Sequence, residues 1–593
     1  MRNFISSMLG ALAALILVFF AGVVMMFGLL VVIGAKGEAQ APIVSDSVLV
    51  VQLDANFTDA PPEIDFGNIT GERVETIQLS KAIRAIKAAG KDNRIKGLFL
   101  TGSLMPEGLG SGYAALRELR EALLEFKASH KPIHAYLSYV STRDYYLASV
   151  ADDIALDPYG VVVIPGLASE SVFFAKAFKR FGIGVQVTRV GKYKGAVEPF
   201  TRDDLSPENR EQLQGLLNDV WQGILADIAA SRNLSVQTLQ QIVDQEGLIR
   251  ADMAKQAGLV DRVVYRDIVL DDLKAATGVK SPSAAFKQVD LLDYMSTVHL
   301  NGKMGAGKIA VLYAEGDIVD GEGDWSQVGG DRFARELRAL RQDDSVKAIV
   351  LRVNSPGGSA SASEVIQREM RLAVEKKPVV VSMGSYAASG GYWISTYGER
   401  IFAQPTTITG SIGVFGLLFD VQELTSNLGI HFDRVKTGRF ADALSISRPK
   451  TDAEIAVLQR SVDWIYDQFV GKVAEARKLD REFVQEIAQG RVWSGVEAQK
   501  LGLVDELGGL SEAIDYTAKK LGLGRDYRIL EYPKSKNLGE AIAEMLHRLR
   551  PAGVRAGIYK NLVKRLEAEL KTLHAYNDPQ GLYTRLPVSI NLQ

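Results

Sequence analysis

A serine followed by two glycines stands where a buried strand is expected to turn into a helix. The apolar, β-branched residues 379–383 predict the strand, and GSYAASGG follows it. A serine on a tight strand-to-helix turn can present its Oγ to a carbonyl carbon while the N–H of the next residue stabilises the oxyanion, which is the geometry that acyl transfer needs. Ser389 is therefore a candidate nucleophile and Gly390 a candidate oxyanion donor, although the same small residues also fit a cluster that only packs a helix.

A second glycine pair follows the strand predicted at residues 348–353. The run NSPGGS (354–359) links that strand to a helix predicted at residues 362–375. Glycines at a strand end allow close backbone approach, and free amides ahead of a helix can bind a developing oxyanion. Gly357 and Gly358 are therefore candidates for the second oxyanion donor, while an ordinary turn with a helix cap also accounts for the spacing.

A serine nucleophile needs a base, and the six histidines do not offer a convincing one. His431 lies in a predicted strand and is interpreted as structural, which leaves lysine as the base. An ordinary lysine has a pKa of about 10.4, so it can accept the serine proton only if burial lowers that pKa. Ser411, between glycines in TGSIG, competes with Ser389 for the nucleophile role or could orient the lysine through its hydroxyl.

The chain repeats itself at a fixed offset. FGIGVQVTRV (181–190) matches LGIHFDRVKT (428–437) at an offset of 247 residues, and AKQAGLVD (254–261) parallels AQKLGLVD (498–505). Matches of this length in the same order indicate two copies of one domain.

The repeat identifies the candidate base. In the alignment of the two copies, GKYKGA (191–196) is matched with GRFADA (438–443), so that Lys194 is aligned with Ala441. Ser389 of the second copy is aligned with Thr142 of the first. Each copy therefore retains one half of a Ser–Lys dyad. The alignment predicts a single site per chain, formed where the two copies meet.

Within each copy, short apolar runs alternate with helical patterns. Such βαβ alternation predicts a mostly parallel sheet with right-handed crossovers, and sites in such sheets lie at the carboxyl ends of the strands. The sequence thus predicts an α/β chain with a first domain at residues 47–300 that carries the lysine and a second at residues 301–530 that carries the serine. A helical tail is predicted at residues 531–593.

The N-terminal residues predict a membrane anchor at residues 1–36. Residues 8–33 are almost wholly apolar, and a helix of this length, at ~1.5 Å per residue, covers the ~30 Å hydrocarbon core of a bilayer. A cleavable signal peptide is the alternative, but its apolar region is much shorter. Arg2 precedes the span, which favours an N-terminus inside and the bulk of the chain outside the cytoplasm.

Composition argues against several other functions. The 69 Lys and Arg residues against 71 Asp and Glu residues leave no basic excess for binding nucleic acid. The sequence has no Cys, which rules out thiolate catalysis and cysteine-ligated metal sites, and the histidines show no metal-ligand spacing. We therefore expect neither a metal nor another cofactor.

The motifs GSYAASGGYWIS, NSPGG and GKYKGAVEP, in two copies after one N-terminal span, resemble the long form of the signal peptide peptidase A family. The resemblance implies two tandem βαβ domains of the Clp protease and crotonase type, with Ser389 as nucleophile and Lys194 as general base. It implies a membrane-anchored serine endopeptidase that hydrolyses leftover signal peptides and other short apolar or unfolded peptides. It further implies a homotetramer on the periplasmic face of the inner membrane.

Two functions of other classes stay open at this point. A noncatalytic membrane scaffold could retain the fold for assembly or peptide binding, because fold alone does not fix function. An enzyme that handles acyl-CoA could use the same oxyanion device. Loss of peptide hydrolysis in Ser389→Ala and Lys194→Ala would exclude both.

Overall fold

The structure is a computed structural model that describes residues 42–62, 74–298, 307–524, 526–534, 578 and 582–586, together with residues 17, 18 and 22. The predicted anchor falls outside the described residues except at those last three positions. No helix in the described part of the chain is long and apolar enough to cross a bilayer.

The first copy alternates strands with helices, as the sequence predicts. Its strands, in chain order, are β1 (Ser47–Gln52), β2 (Ala55–Thr58), β3 (Glu75–Gln78), β4 (Ile95–Thr101), β5 (Ile133–Ser141), β6 (Asp153–Val163), β7 (Gly184–Val190), β8 (Leu248–Arg250), β9 (Arg262–Val263) and β10 (Gln288–Asp290). Its helices cover Leu79–Lys91, Tyr113–Lys127, Thr142–Ala148, Ala175–Arg180, Glu198–Thr201, Pro207–Arg232, Val236–Glu246, Ala251–Gln256, Arg266–Ala276 and Leu291–Thr297, with a 3-10 helix at Gly195–Val197.

The second copy follows the same plan. Its strands, together with one from the tail, are β11 (Gly307–Glu315), β12 (Ile318–Val319), β13 (Val328–Gly329), β14 (Val346–Ser355), β15 (Gly357–Ser359), β16 (Val379–Ala388), β17 (Arg400–Ala403), β18 (Ile408–Gly410), β19 (Val414–Asp420), β20 (Val492–Ser494), β21 (Glu506–Leu507), β22 (Tyr527–Tyr532) and β23 (Leu582–Arg585). Its helices cover Gly330–Gln342, Ala360–Val374, Gly390–Ser395, Gln422–Asn427, Asp452–Arg477, Arg481–Ile487, Gly495–Lys500 and Leu510–Lys520.

Each copy builds one main sheet, and the two sheets have matching strand orders. The first is ordered β10-β1-β4-β5-β6-β8, with β9 also paired to β6. The second is ordered β22-β11-β14-β16-β18-β20, with β17 paired to β16 and to β21. All of these pairs are parallel except the two at the equivalent edges, β6 with β8 and β18 with β20. The predicted parallel α/β architecture is confirmed.

Helices cover both faces of the second sheet. Along β11, Ala310 and Leu312 face the larger apolar core, whereas Ile309 and Val311 face a smaller core against the helix Leu510–Lys520. Burial on both faces explains why this strand is a continuous apolar run rather than an alternating one.

A third sheet joins the two copies. It is ordered β13-β12-β15-β23-β19-β7, so that it contains one strand of the first copy and one strand of the tail. β7 runs antiparallel to β19, with Val190 opposite Val414 at the end that leads toward Lys194. Through this pairing, the segment of the first copy that leads to Lys194 lies next to the strand ends of the second copy.

A buried ion cluster also crosses between the copies. Arg352 of β14 is fully buried, and its Nε lies 2.8 Å from Asp59 Oδ1 while Nη2 lies 2.5 Å from Glu118 Oε1. Burial raises the pKa of Glu118 to about 7, even though the Arg352 charge opposes that rise. A buried charge is costly without its partners, so this cluster penalises any arrangement that separates the copies.

One expectation from the sequence needs correction. His431 lies in exposed coil rather than in a strand, because no strand among the described residues pairs with this second-copy counterpart of β7. Of the tail predicted to be helical, residues 531–532 end β22 and residues 582–585 form β23, which has antiparallel partners on both sides. The rest of the tail lies outside the described residues.

Candidate active site

Ser389 occupies a strained turn at the carboxyl end of β16. The strand ends at Ala388 and a helix begins at Gly390, so one residue makes the turn. Its φ of 55° and ψ of −112° lie outside the regions that L-residues prefer, a conformation that costs about 1–3 kcal/mol. The Ser389 N–H donates to the Gly410 carbonyl at 2.8 Å, which holds the turn in place. The side chain is fully buried.

The structure brings Lys194 from the first copy to this serine. Lys194 Nζ lies 2.7 Å from Ser389 Oγ, although the two residues are 195 positions apart. The same amine lies 3.0 Å from the carbonyl oxygen of Ser411 and 3.0 Å from its hydroxyl. All three residues are fully buried. Ser411 therefore contacts the lysine, as the sequence analysis allowed.

Burial lowers the pKa of Lys194 well below its ordinary value of 10.5. Desolvation of the ammonium is the cause, and no carboxylate among the described residues contributes to hold the charge. A lysine without a counter-ion in an apolar interior favours its neutral form, and a neutral amine can accept a proton from a hydroxyl.

Two glycines of the second copy make room for the lysine side chain. A Cβ added to Gly490 would lie 2.6 Å from the Lys194 Cβ, and one added to Gly413 would lie 3.1 Å from its Cδ. The sequence did not assign this role to either glycine, because the lysine that each one accommodates belongs to the other copy.

Gly490→Ala is expected to lower kcat/KM for peptide hydrolysis by about 10²-fold. The added methyl would push the lysine backbone away from Ser389, and misplacement by about 1 Å can cost that much. Gly522→Ala is the matched control, since Gly522 has a similar positive φ but nothing within 4 Å of an added Cβ. Equal losses in the two variants would mean that backbone strain, and not lysine placement, is responsible.

The loop that carries Lys194 is fixed by hydrogen bonds to the second copy. The Tyr193 N–H donates to the Gln489 carbonyl at 3.1 Å. Gln212 bridges the copies, because its Nε2 donates to the Tyr193 carbonyl at 2.9 Å and its Oε1 accepts from the Val492 N–H at 3.0 Å. The role of Gln212 was not predicted, although the sequence held a signal for it. At the equivalent position of the equivalent helix, the first copy has the polar Gln212 and the second has the apolar Val457.

Two of the three candidate oxyanion donors, Gly357 and Gly390, lie side by side. A Cβ added to Gly357 would lie 2.7 Å from the Gly390 amide nitrogen, so these two glycines are close neighbours. The Gly357 N–H donates to Ser355 Oγ at 3.2 Å and is thus already engaged. Gly358 lies next to it in β15.

A strand of the tail lies against the same point. β23 runs antiparallel to both β15 and β19, with Thr584 opposite Gly358. A Cβ added to Gly357 would lie 2.1 Å from the Thr584 carbonyl oxygen, which places that carbonyl beside the glycine pair. The Leu586 N–H donates to the Pro356 carbonyl at 2.9 Å. Residues 582–585 thus lie as an extended strand beside the candidate oxyanion donors.

Removal of residues 582–593 is expected to lower KM for a short peptide and to leave kcat nearly unchanged. A substrate that pairs with β15 and β19 as β23 does would have to displace β23, so the tail would reduce the fraction of molecules that can bind. Steady-state kinetics of the truncated and full chains, at matched thermal stability, measure this effect. An unchanged or increased KM in a stable truncated protein would show that the tail does not compete with substrate.

Comparison with known proteins places the chain in a family. The sequence model of peptidase family S49 matches residues 125–280 and 371–524 of the chain. The model of the Clp protease family matches residues 309–409. Protease 4 of Salmonella typhi is 37% identical over 529 residues, which cover 87% of this chain and 84% of that protein. Protease 4 of Haemophilus influenzae is 34% identical over 592 residues, or 95% of each chain. The chloroplastic serine protease SPPA of Arabidopsis thaliana is 33% identical over 450 residues, which cover 74% of this chain and 65% of that protein.

The chain therefore belongs to peptidase family S49, and it is a serine protease. One matched segment lies in each copy, so the chain contains two tandem domains of this family on a Clp protease-like α/β fold.

Proposed function

We propose that this protease is a membrane-bound endopeptidase that hydrolyses leftover signal peptides and other short apolar or unfolded peptides through a Ser389–Lys194 dyad. The observation that carries the proposal is the 2.7 Å contact between Lys194 Nζ and Ser389 Oγ in a fully buried setting. In the part of the chain that the structure describes, no carboxylate keeps the buried amine charged. These are the conditions under which lysine can act as a general base.

The hydrogen bonds around Lys194 favour one arrangement of the neutral amine. Its two N–H groups donate to the carbonyl oxygen and to the hydroxyl of Ser411. Its lone pair then points to Ser389 and accepts the proton of that hydroxyl. Ser411 is accordingly a positioning residue in this proposal.

The reaction proceeds by acyl transfer. As the proton passes to Lys194, Ser389 Oγ bonds to the scissile carbonyl carbon, and the N–H groups of Gly390 and Gly358 donate to the oxyanion. Gly357 could contribute only if its N–H left Ser355. The protonated lysine then gives its proton to the leaving amine. A water molecule that Lys194 activates hydrolyses the acyl-enzyme, so the chain's own residues supply every proton transfer.

The position of β23 between β15 and β19 supports a preference for extended apolar peptides. A substrate in the place of β23 would form main-chain hydrogen bonds with β15 and β19 on its two sides. Tyr583 of the tail packs on Phe415, with ring centroids 5.8 Å apart, in an apolar cluster with Phe200. A substrate side chain at that position would be apolar for the same reason.

The predicted anchor and the resemblance to signal peptide peptidase A support the cellular setting. An anchor at residues 1–36 would hold the two domains on the periplasmic side of the inner membrane, next to signal peptides left in the bilayer. We propose a homotetramer there. Loss of membrane sedimentation on removal of residues 1–36 would support the anchor, and unchanged sedimentation would contradict it.

The substrate proposal is tested with full-length protein in detergent micelles. A synthetic apolar signal peptide should be cleaved at internal bonds, as read by mass spectrometry, whereas the same peptide with Asp at alternate apolar positions should be cleaved much more slowly. Hydrolysis of acyl-CoA thioesters in preference to either peptide would favour the acyl-CoA alternative. If the apolar peptide stays intact while Ser389 still reacts with an acylating probe, the proposed substrate class is wrong, but the proposed dyad is not contradicted.

A further inference from the structure

The helix that supplies Gln212 also connects the lysine loop to a buried carboxylate. Gln212 Nε2 donates to Asn209 Oδ1 at 2.7 Å as well as to the Tyr193 carbonyl. Asn209 Nδ2 in turn donates to Glu198 Oε2 at 3.1 Å. A chain of hydrogen bonds therefore leads from Glu198, through two side-chain amides, to the residue that precedes Lys194.

Every side chain in this network is buried, and Glu198 has a second fixed contact. The Ser206 N–H donates to Glu198 Oε2 at 3.0 Å. Ser206 Oγ accepts the Asn209 N–H at 3.2 Å, where the helix Pro207–Arg232 begins. The Asn209 amide lies between Glu198 and Gln212, so it cannot turn without breaking hydrogen bonds in a low-dielectric interior.

Asn209 also lies against the backbone of the lysine loop. A Cβ added to Gly195 would lie 2.4 Å from Asn209 Nδ2, so the loop approaches this amide more closely than a side chain at that position would allow. Gly195 directly follows Lys194, and its N–H donates to the Tyr193 carbonyl at 2.8 Å. Asn209 and Gln212 therefore contact the backbone on both sides of the lysine.

The second copy has the equivalent helix but not this network. The helices Pro207–Arg232 and Asp452–Arg477 each have 26 residues, and each begins with a hydroxyl that accepts the N–H of the third helical residue. Only the copy that carries the lysine has the three side chains. The second copy has Ser445 at the position of Glu198, Glu454 at that of Asn209 and Val457 at that of Gln212.

Stability does not account for Glu198. Its Oε2 accepts two hydrogen bonds, but the buried Oε1 contacts no donor within the described residues. A buried carboxylate with an unpartnered oxygen costs free energy. Burial is the cause of the lowered pKa of Lys194, so Glu198 is not the counter-ion of the amine. Its contact with the Asn209 amide is the feature that remains to be explained.

We infer that Glu198 and Asn209 are positioning residues for the general base Lys194. They act through Gln212, and the inference rests on the proposed dyad. Because Glu198 Oε2 accepts, it binds the NH2 group of the Asn209 amide and leaves the oxygen of that amide facing Gln212. Gln212 then directs its own NH2 group to the Tyr193 carbonyl and its oxygen to the second copy. The carboxylate thus sets the orientation of two amides in succession.

Asn209→Leu tests the inference, because leucine has the same branching and forms neither hydrogen bond. We expect kcat for a short apolar peptide to fall by about 10²-fold, since misplacement of the base by about 1 Å can cost that much. KM should stay within about twofold, because the substrate does not contact this network. Asn209→Ser is measured alongside. Serine favours the first turn of a helix and is too short to link Glu198 to Gln212, so it keeps the test valid if the leucine variant does not fold.

The pH dependence of Ser389 labelling by an uncharged acylating probe separates positioning from packing. In a folded Asn209 variant, the midpoint of labelling should rise toward 10.5, because a displaced Lys194 amine is less desolvated. A loss of stability alone would lower the Tm and leave this midpoint in place. An unchanged midpoint in the folded variant, whatever its kcat, would overturn the inference.

Three further variants supply the controls. Glu198→Gln keeps an oxygen that can accept from Asn209, so it should recover most of the activity that Glu198→Leu loses. Equal losses in the two would overturn the inference. Glu454→Leu is the matched control, since Glu454 is buried at the equivalent helix position and pairs with Arg448 of its own copy. It should lower the Tm without changing kcat or the labelling midpoint, and the same changes as in Asn209→Leu would count against positioning.

Lys194→Met distinguishes failure of this inference from failure of the dyad. Activity that is kept in Lys194→Met would overturn the dyad and this inference together. Activity that is lost in Lys194→Met, beside unchanged kcat and midpoint in the folded Asn209 variant, would overturn this inference alone.

Discussion

Ser389→Ala is expected to lower kcat for peptide hydrolysis by about a millionfold, to the level left by binding and oxyanion stabilisation. Losses of this size are typical when the nucleophile of an acyl-transfer enzyme is removed. The fold should persist, because Ala removes one hydroxyl from a buried turn whose backbone hydrogen bond to Gly410 does not involve it. Peptide turnover and covalent labelling by an acylating probe should both disappear.

Ser411→Ala is the matched control for Ser389→Ala. Both serines are fully buried, both have positive φ, and both lie within 3.0 Å of Lys194 Nζ. Loss of one hydrogen bond to the amine costs about 1 kcal/mol, so we expect only about a fivefold loss of kcat and retained labelling. Labelling that survives Ser389→Ala and vanishes in Ser411→Ala would reassign the nucleophile to Ser411.

Lys194→Met is expected to lower kcat/KM by about 10²–10⁴-fold, the usual contribution of a positioned general base. Methionine fills nearly the same volume without a titratable group, so the packing against Gly413 and Gly490 is kept. Lys194→Arg should lose as much activity, because a guanidinium remains charged in proteins. Activity within tenfold of the unchanged chain in Lys194→Met would mean that another group accepts the proton.

The same variant changes how stability depends on pH. The pKa of Lys194 is lowered in the folded chain, so between that pKa and the ordinary 10.5 the unfolded chain binds one more proton than the folded chain. The contribution of Lys194 to the stability of the unchanged protein must therefore rise with pH across this window and be lowest below it. We expect Lys194→Met to have a higher Tm than the unchanged chain at neutral pH and to lose that advantage as pH approaches 10.5. A Tm difference that does not vary with pH would show that the amine is not desolvated.

Much of the site could be predicted because duplication records which half of the dyad each copy has lost. Lys194 opposite Ala441, and Ser389 opposite Thr142, identify a divided site only when the two copies are compared. The glycines at the ends of β14 and β16 were recognisable for a different reason, since close backbone approach requires residues without a Cβ.

Other features could not be read from the sequence because they depend on packing between distant segments. The strand at Leu582–Arg585 carries no periodicity that predicts its place between β15 and β19, and only pairing with these two strands makes it a strand. His431 shows the converse case, since the apolar residues on either side of it predict a strand, yet no strand among the described residues pairs with this segment. The bridging role of Gln212 likewise depends on contact between the two copies.

The most direct test of the account is the pH dependence of Ser389 acylation. The rate constant for labelling by an uncharged acylating probe is measured from pH 5 to 10 in the unchanged chain and in Lys194→Met. A single titration well below 10.5 in the unchanged chain, absent from the variant, is the predicted result because it reports an uncharged Lys194 in contact with the serine. A titration near 10.5, or the same profile in both proteins, would contradict it.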